Sequence, residues 1–108
     1  MGLEFVGTNE NPFTYPDKFS LKQNYPNPFN PTTTIQFILP KAGNVNISIF
    51  DLSGHEIIHL VRKYQTSGSK SVIWDGTNKS GKKVPSGVYF YSISTGNIRQ
   101  TRKMVLLK

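Results

Sequence analysis

The 108-residue sequence contains no cysteine. That removes disulfides, thiolate zinc sites and cysteine nucleophiles together. The fold must be stable without a covalent staple. Acidic residues are few: six, against thirteen Lys and Arg, for a formal net charge of +7. A basic excess can signal nucleic acid, anionic lipid or an acidic polysaccharide. Here the positive residues are scattered from Lys18 to Lys108 and no block reaches five. Such a scatter builds no phosphate track, so a solvated basic surface and no nucleic-acid partner are expected. No apolar run approaches the ~20 residues of a membrane helix. Met1 is not followed by the charged and apolar segments of a secretory signal, so an exported parent protein is expected to carry its signal upstream. No glycine loop to cradle phosphate and no capped helix is visible.

What is present is turn chemistry and alternation. The chain has nine Gly and seven Pro, and its length is that of one domain with one modest core and little room for a cleft. Residues 1–20 carry turn signals without periodicity and read as a linker or cloning-derived segment. Residues 21–108 read as the folded module. Thr33, Ile35, Phe37 and Leu39 alternate with Thr34, Gln36 and Ile38, as in a half-buried strand. Val45, Ile47 and Ile49 repeat the pattern, and Asp51-Leu52-Ser53-Gly54 reads as a turn. Glu56–Val61 is a third apolar segment. Gln65–Ser69 reads as a loop, Ser71–Trp74 as a fourth strand and Val88–Ile93 as a fifth. Thr95-Gly96-Asn97 is a hairpin-type turn, and Ile98–Leu107 is the last strand. A seventh strand is available from Phe19–Asn24. The expected fold is an all-β, Ig-like antiparallel β-sandwich of about seven strands, closed around Ile35, Phe37, Ile47, Trp74 and Tyr89.

Few constellations offer chemistry. His55-Glu56-Ile57-Ile58-His59 matches H-E-x-x-H, but two histidines share a zinc only across one helical turn. On a strand they stand about 13 Å apart. The Trp74-Asp75-Gly76-Thr77-Asn78 loop has one carboxylate, too few for calcium, and suits turn capping with Trp74 in the core. Tyr89 and Tyr91 face one way and Phe90 the other, so at least one face is core rather than a stacking platform. Ser53-Gly54-His55 lacks an orienting acid. Asn46-Ile47-Ser48 and Asn78-Lys79-Ser80 fit a glycosylation pattern that arises often by chance. No catalytic residue, metal ligand or cofactor is assigned.

Tyr25-Pro26-Asn27-Pro28-Phe29-Asn30-Pro31 is the most distinctive segment. Its prolines fix φ and push each preceding residue out of the helical region, and Tyr25 and Phe29 are placed to anchor on the sandwich edge. Together with Leu21-Lys22-Gln23-Asn24 before it and Thr32-Thr33-Thr34-Ile35 after it, the segment resembles the start of the type A C-terminal sorting domain of type IX secretion cargo, a system of the Bacteroidetes and related bacteria. Val45–Ile57 resembles that family's second strand, turn and third strand. Trp74-Asp75-Gly76, Gly81 and Val84-Pro85-Ser86-Gly87-Val88-Tyr89 resemble its tryptophan-loop-tyrosine segment, which is also similar to the Ig-like domain of flagellar hook-capping proteins. Lys103-Met104-Val105-Leu106-Leu107-Lys108 resembles its closing strand.

The resemblance implies a non-catalytic address for a cargo domain lying N-terminal to it, bound for the cell surface or medium by way of the periplasm. It implies two partners, the outer-membrane type IX translocon and a sortase-like peptidase. Lys103, Met104, Val105, Leu106, Leu107 and Lys108 are the candidate residues for translocon recognition. Main-chain pairing along the last strand is the expected mode, with charge from Lys103 and Lys108 and apolar contacts from Met104–Leu107. The same exposed edge makes a weak homodimer an expectation. The alternatives are a carbohydrate-binding module appended to a secreted glycosidase, marked by exposed coplanar aromatics, and an Ig-like assembly domain.

Overall fold

The computed structural model describes Lys18–Lys108. Most of the expected linker therefore lies outside the described residues. Its last residue, Ser20, already pairs with Ile38.

Seven strands follow in order: β1 (Ser20–Leu21), β2 (Thr33–Leu39), β3 (Gly43–Phe50), β4 (Glu56–Gln65), β5 (Gly68–Trp74), β6 (Gly87–Thr95) and β7 (Ile98–Leu106). They form two antiparallel sheets, β1-β2-β5 and β4-β3-β6-β7. The expected sandwich is present, and no described residue is helical.

Alternation explains the core. Ile35, Phe37 and Leu39 of β2 are buried, as are Val45, Ile47 and Ile49 of β3 and Tyr89, Tyr91 and Ile93 of β6. These inward faces meet around Trp74, with Phe29, Met104 and Leu106 in the same cluster. Each such side chain contributes about 1.5–3 kcal/mol by leaving water.

β4 is the irregular strand. Val61 opposes Ile47 and His59 opposes Ser48, leaving Leu60 as an extra residue. Ile58 opposes Ile49 and Glu56 opposes Phe50, leaving Ile57 extra. Two bulges thus let Ile57, Ile58, Leu60 and Val61 all pack partly against the core, in a spacing that an unbroken strand could not use.

Turns are tighter than the composition suggests. The expected loop at Gln65–Ser69 shrinks to Thr66-Ser67, because Gly68, at φ +124°, opens β5 directly. Before β4, the Asp51 carboxylate accepts from the Ser53 and His55 N–H groups, both at 2.9 Å. The His55 N–H bond is the main force holding the Asp51 carboxyl below its usual value, opposed next by desolvation and aided by the Ser53 N–H and the nearby imidazole.

Candidate functional site at the closing strand

The proline-rich segment fastens β7 rather than leading loosely into the fold. Phe29 N–H donates to the Val105 carbonyl at 3.0 Å, and Leu107 N–H donates to the Phe29 carbonyl at 2.9 Å. Val105 N–H donates to Asn27 Oδ1 at 3.0 Å, and Gln23 Nε2 donates to the Lys103 carbonyl at 2.8 Å. The C-terminal end of β7 is therefore paired on both sides, with β6 and with residues 23–29. This corrects the expectation of a freely readable main chain at that end.

The segment is itself anchored by aromatic packing. The buried Phe29 ring lies 5.7 Å from Trp74, tilted by 56°, and Trp74 meets Tyr89 edge-on at 5.6 Å. The two polar tips find partners, as buried Trp and Tyr require. Trp74 Nε1 donates to the Thr77 carbonyl at 2.9 Å, and the Tyr89 hydroxyl donates to the Pro85 carbonyl at 2.7 Å. Tyr25 pairs through its backbone with Thr34, yet its side chain is 79% exposed. Of the two expected anchors, only Phe29 enters the core.

A polar clasp completes the join. The Tyr91 hydroxyl donates to the Lys22 carbonyl at 2.7 Å and accepts the Asn24 N–H at 2.8 Å. Asn24 Nδ2 reaches Thr33 Oγ1 at 2.9 Å, and that hydroxyl donates to the Pro26 carbonyl at 2.9 Å. Arg102 Nε donates to the Leu21 carbonyl at 2.6 Å, tying β7 to the other sheet. Burial raises the Tyr91 hydroxyl above its ordinary value, partly offset by the Asn24 bond and the Arg102 charge. Burial, with the Asp51 charge second, raises Tyr89. Reading the sequence missed Gln23, Asn24, Thr33, Tyr91 and Arg102 in these roles. The one available signal was Thr33, a hydroxyl at an inward strand position.

Tyr25, Pro26, Asn27, Pro28, Phe29, Asn30, Pro31, Trp74, Asp75, Gly76, Pro85, Gly87 and Tyr89 thus belong to the end of the sandwich where β7 finishes. Asp75 accepts from the Thr77 hydroxyl and N–H at 2.6 and 3.2 Å, which is turn capping. The six candidate recognition residues divide. Met104 and Leu106 are fully buried. Lys103, Val105 and Leu107 alternate with them onto the outer face, with Leu107 52% exposed, and Lys108 is exposed.

The histidine motif comes apart. His59 lies in β4 and His55 just before it. His55 Nδ1 sits 3.5 Å from Asp51, and His59 Nδ1 sits 3.4 Å from Glu56. No three His, Asp or Glu side chains converge among the described residues. Tyr89 and Tyr91 are core residues, so the aromatic series offers no exposed coplanar platform.

The family model of the secretion system C-terminal sorting domain matches residues 23–107. The chain belongs to that family. The sorting domain is the kind of module carried by proteins exported through the periplasm to the cell surface or medium. No curated protein matches the chain. Among solved structures it is similar to dimeric latent PorU from Porphyromonas gingivalis, with TM-score 0.68 and 21% identity over 85% of this chain and 9% of that one. It is similar to PorZ, described as an essential surface component of the type IX secretion system of the same organism, with TM-score 0.55 and 21% identity over 80% of this chain and 11% of that one. FlgD from P. aeruginosa matches with TM-score 0.55 and 28% identity over 68% of this chain and 58% of that one, in accord with the Ig-like relation drawn from the tryptophan segment. The sorting domain spans about a tenth of the two Por proteins, and at 21% identity they show its fold alone.

Proposed function

We propose that the module is a non-catalytic address, read folded by the outer-membrane type IX translocon and then removed from an N-terminal cargo by a sortase-like peptidase. The observation that carries this reading is the outer row Lys103, Val105 and Leu107, followed by Lys108, on a strand end held on both sides. A receptor meeting this end finds the main chain already paired. It reads side chains on a preformed surface, where little ordering entropy remains to be lost. Family membership supports the sorting role, and one structure of the same fold is described as a surface component of the type IX secretion system.

The test is secretion of a reporter fused ahead of residues 18–108 in a type IX-competent host. Removing Lys103–Lys108 also removes Met104 and Leu106 from the core, so lost export there does not separate recognition from folding. The combined variant Lys103→Glu, Val105→Ser, Leu107→Ser keeps both core residues. It is expected to melt close to the parent and to leave the reporter in the periplasm. Unimpaired secretion by that variant overturns the assignment.

A further inference from the structure

The borders of the two sheets are protected unequally. On the four-stranded sheet, β7 is covered at its C-terminal end by Asn27 and Phe29. β4 carries two bulges together with Arg62 and Lys63, and Lys79 N–H covers the Ile57 carbonyl at 3.1 Å. Bulges and charged side chains are devices that stop edge strands from pairing. On the three-stranded sheet, β2 is covered on one side. Lys22 N–H donates to the Gln36 carbonyl at 2.9 Å, and Tyr25 and Thr34 exchange main-chain bonds at 2.9 and 2.8 Å.

β5 has none of this among the described residues. It runs in unbroken register against β2, from Thr33 opposite Trp74 to Leu39 opposite Gly68. In an antiparallel ladder, alternate residues turn their main chain to opposite sides. Thr34 and Gln36 spend theirs on the β1 side, so Thr33, Ile35, Phe37 and Leu39 serve β5. Their partners are Trp74, Val72, Lys70 and Gly68. Ser69, Ser71 and Ile73 therefore aim N–H and C=O away from the sheet, and no described residue pairs with them. Ile73 is also 60% exposed.

Charge narrows the partner. A second copy approaching β4 would set Arg62 and Lys63 against like charges, and one approaching β7 would meet Arg99, Arg102 and Lys103. β5 carries only Lys70, whose ammonium donates to Thr66 Oγ1 at 2.7 Å. An acidic peptide would be drawn to the basic edges instead. On a chain of net charge +7, this nearly neutral edge is where a like molecule approaches with least repulsion.

We propose that the outer edge of β5 is a self-association site, at which β5 of a second copy adds antiparallel across a two-fold axis at Ser71. In that register Ser71 faces its own counterpart, and Ser69 faces Ile73 of the second copy on either side. Each of these three pairs exchanges two main-chain bonds. Lys70 faces Val72 of the second copy, so no two ammonium groups oppose one another. The contact is isologous, closes after two copies and joins the two three-stranded sheets into one. It is also small, so association is weak, and salt strengthens it by screening the net charge. The site is independent of the export reading.

Sedimentation equilibrium on the full chain over roughly 10 μM to 1 mM tests it, the span in which weak contacts show. The apparent mass is expected to climb from one chain toward two, further at high salt than at low. Ser71→Pro removes the outward N–H and no bond of the β2 ladder, a placement that edge strands tolerate. Ser71→Lys sets two ammonium groups on the axis. Both variants are expected to remain single chains at every concentration with the parent's circular dichroism. If Ser71→Pro does not fold, Ser71→Lys decides. A parent that stays monomeric throughout overturns the site, as does association unchanged in Ser71→Lys. A dimer abolished by Thr101→Pro but not by Ser71→Lys places the contact on β7 and equally overturns it.

Discussion

Gly76 and Pro31 approach so closely that a β-carbon at residue 76 would lie 3.1 Å from the Pro31 carbonyl oxygen. Gly76 also holds φ at +80°, a conformation that L side chains rarely adopt. Two separate demands thus meet at one residue, where the tryptophan loop crosses the proline-rich segment. Gly76→Ala is expected to destabilise the module by about 1–3 kcal/mol, the cost of a side chain held at positive φ. Urea unfolding measures it. An unchanged midpoint would show that the crossing relaxes freely.

Phe29 should be the costliest residue of its segment. Phe29→Ala removes a buried ring against Trp74 and is expected to cost about 3–5 kcal/mol. The amides of Val105 and Leu107 should then exchange with solvent faster than those of Val45 and Ile47. Tyr25→Ala, at an exposed side chain, should stay within about 0.5 kcal/mol of the parent. Equal effects at the two positions would contradict the anchoring described for Phe29.

Tyr91→Phe leaves the ring in place and removes only the hydroxyl. The Asn24 N–H and the Lys22 carbonyl then lose their partner, at a cost of about 1–3 kcal/mol if water does not replace it. Denaturant midpoints compare this variant with Tyr64→Phe, whose hydroxyl is on an exposed side chain and should be neutral.

Alkaline pH should act through the same groups. Burial raises both Tyr89 and Tyr91 above the ordinary 10.0. The fold favours their neutral forms, so their contribution is fully present below that ordinary value. It is lost as pH rises through the higher folded-state values. Tyrosinate absorbance from these residues should therefore appear together with loss of the sheet's circular dichroism. Complete tyrosine ionisation with the sheet signal intact would contradict the buried placement.

Alternation made most of the sandwich readable. In β2, β3 and β6 the inward residues are apolar except Thr33 and the outward ones mostly small or polar, so register and face follow from period two. β4 resisted that reading, since Ile57, Ile58, Leu60 and Val61 stand at helix-like intervals. Two bulges, set by pairing with β3, reconcile them with a strand, and nothing local announces such pairing. The closing strand shows the other difficulty. Met104 and Leu106 read equally well as receptor contacts or as core, and only the packing against Phe29 and Trp74 decides. The bond between Phe29 and Leu107 joins two stretches with no mutual signature, because main-chain hydrogen bonding is blind to side-chain identity.

The clasp between residues 27–29 and 105–107 makes the module indivisible. Each strip satisfies the other's backbone, and the ring that seats one of them forms part of the shared core. Six residues cut from β7 and grafted to a foreign protein would keep their letters and lose their shape. Shortening the module from either side would open the shared core abruptly, with no graded series of partly folded forms between.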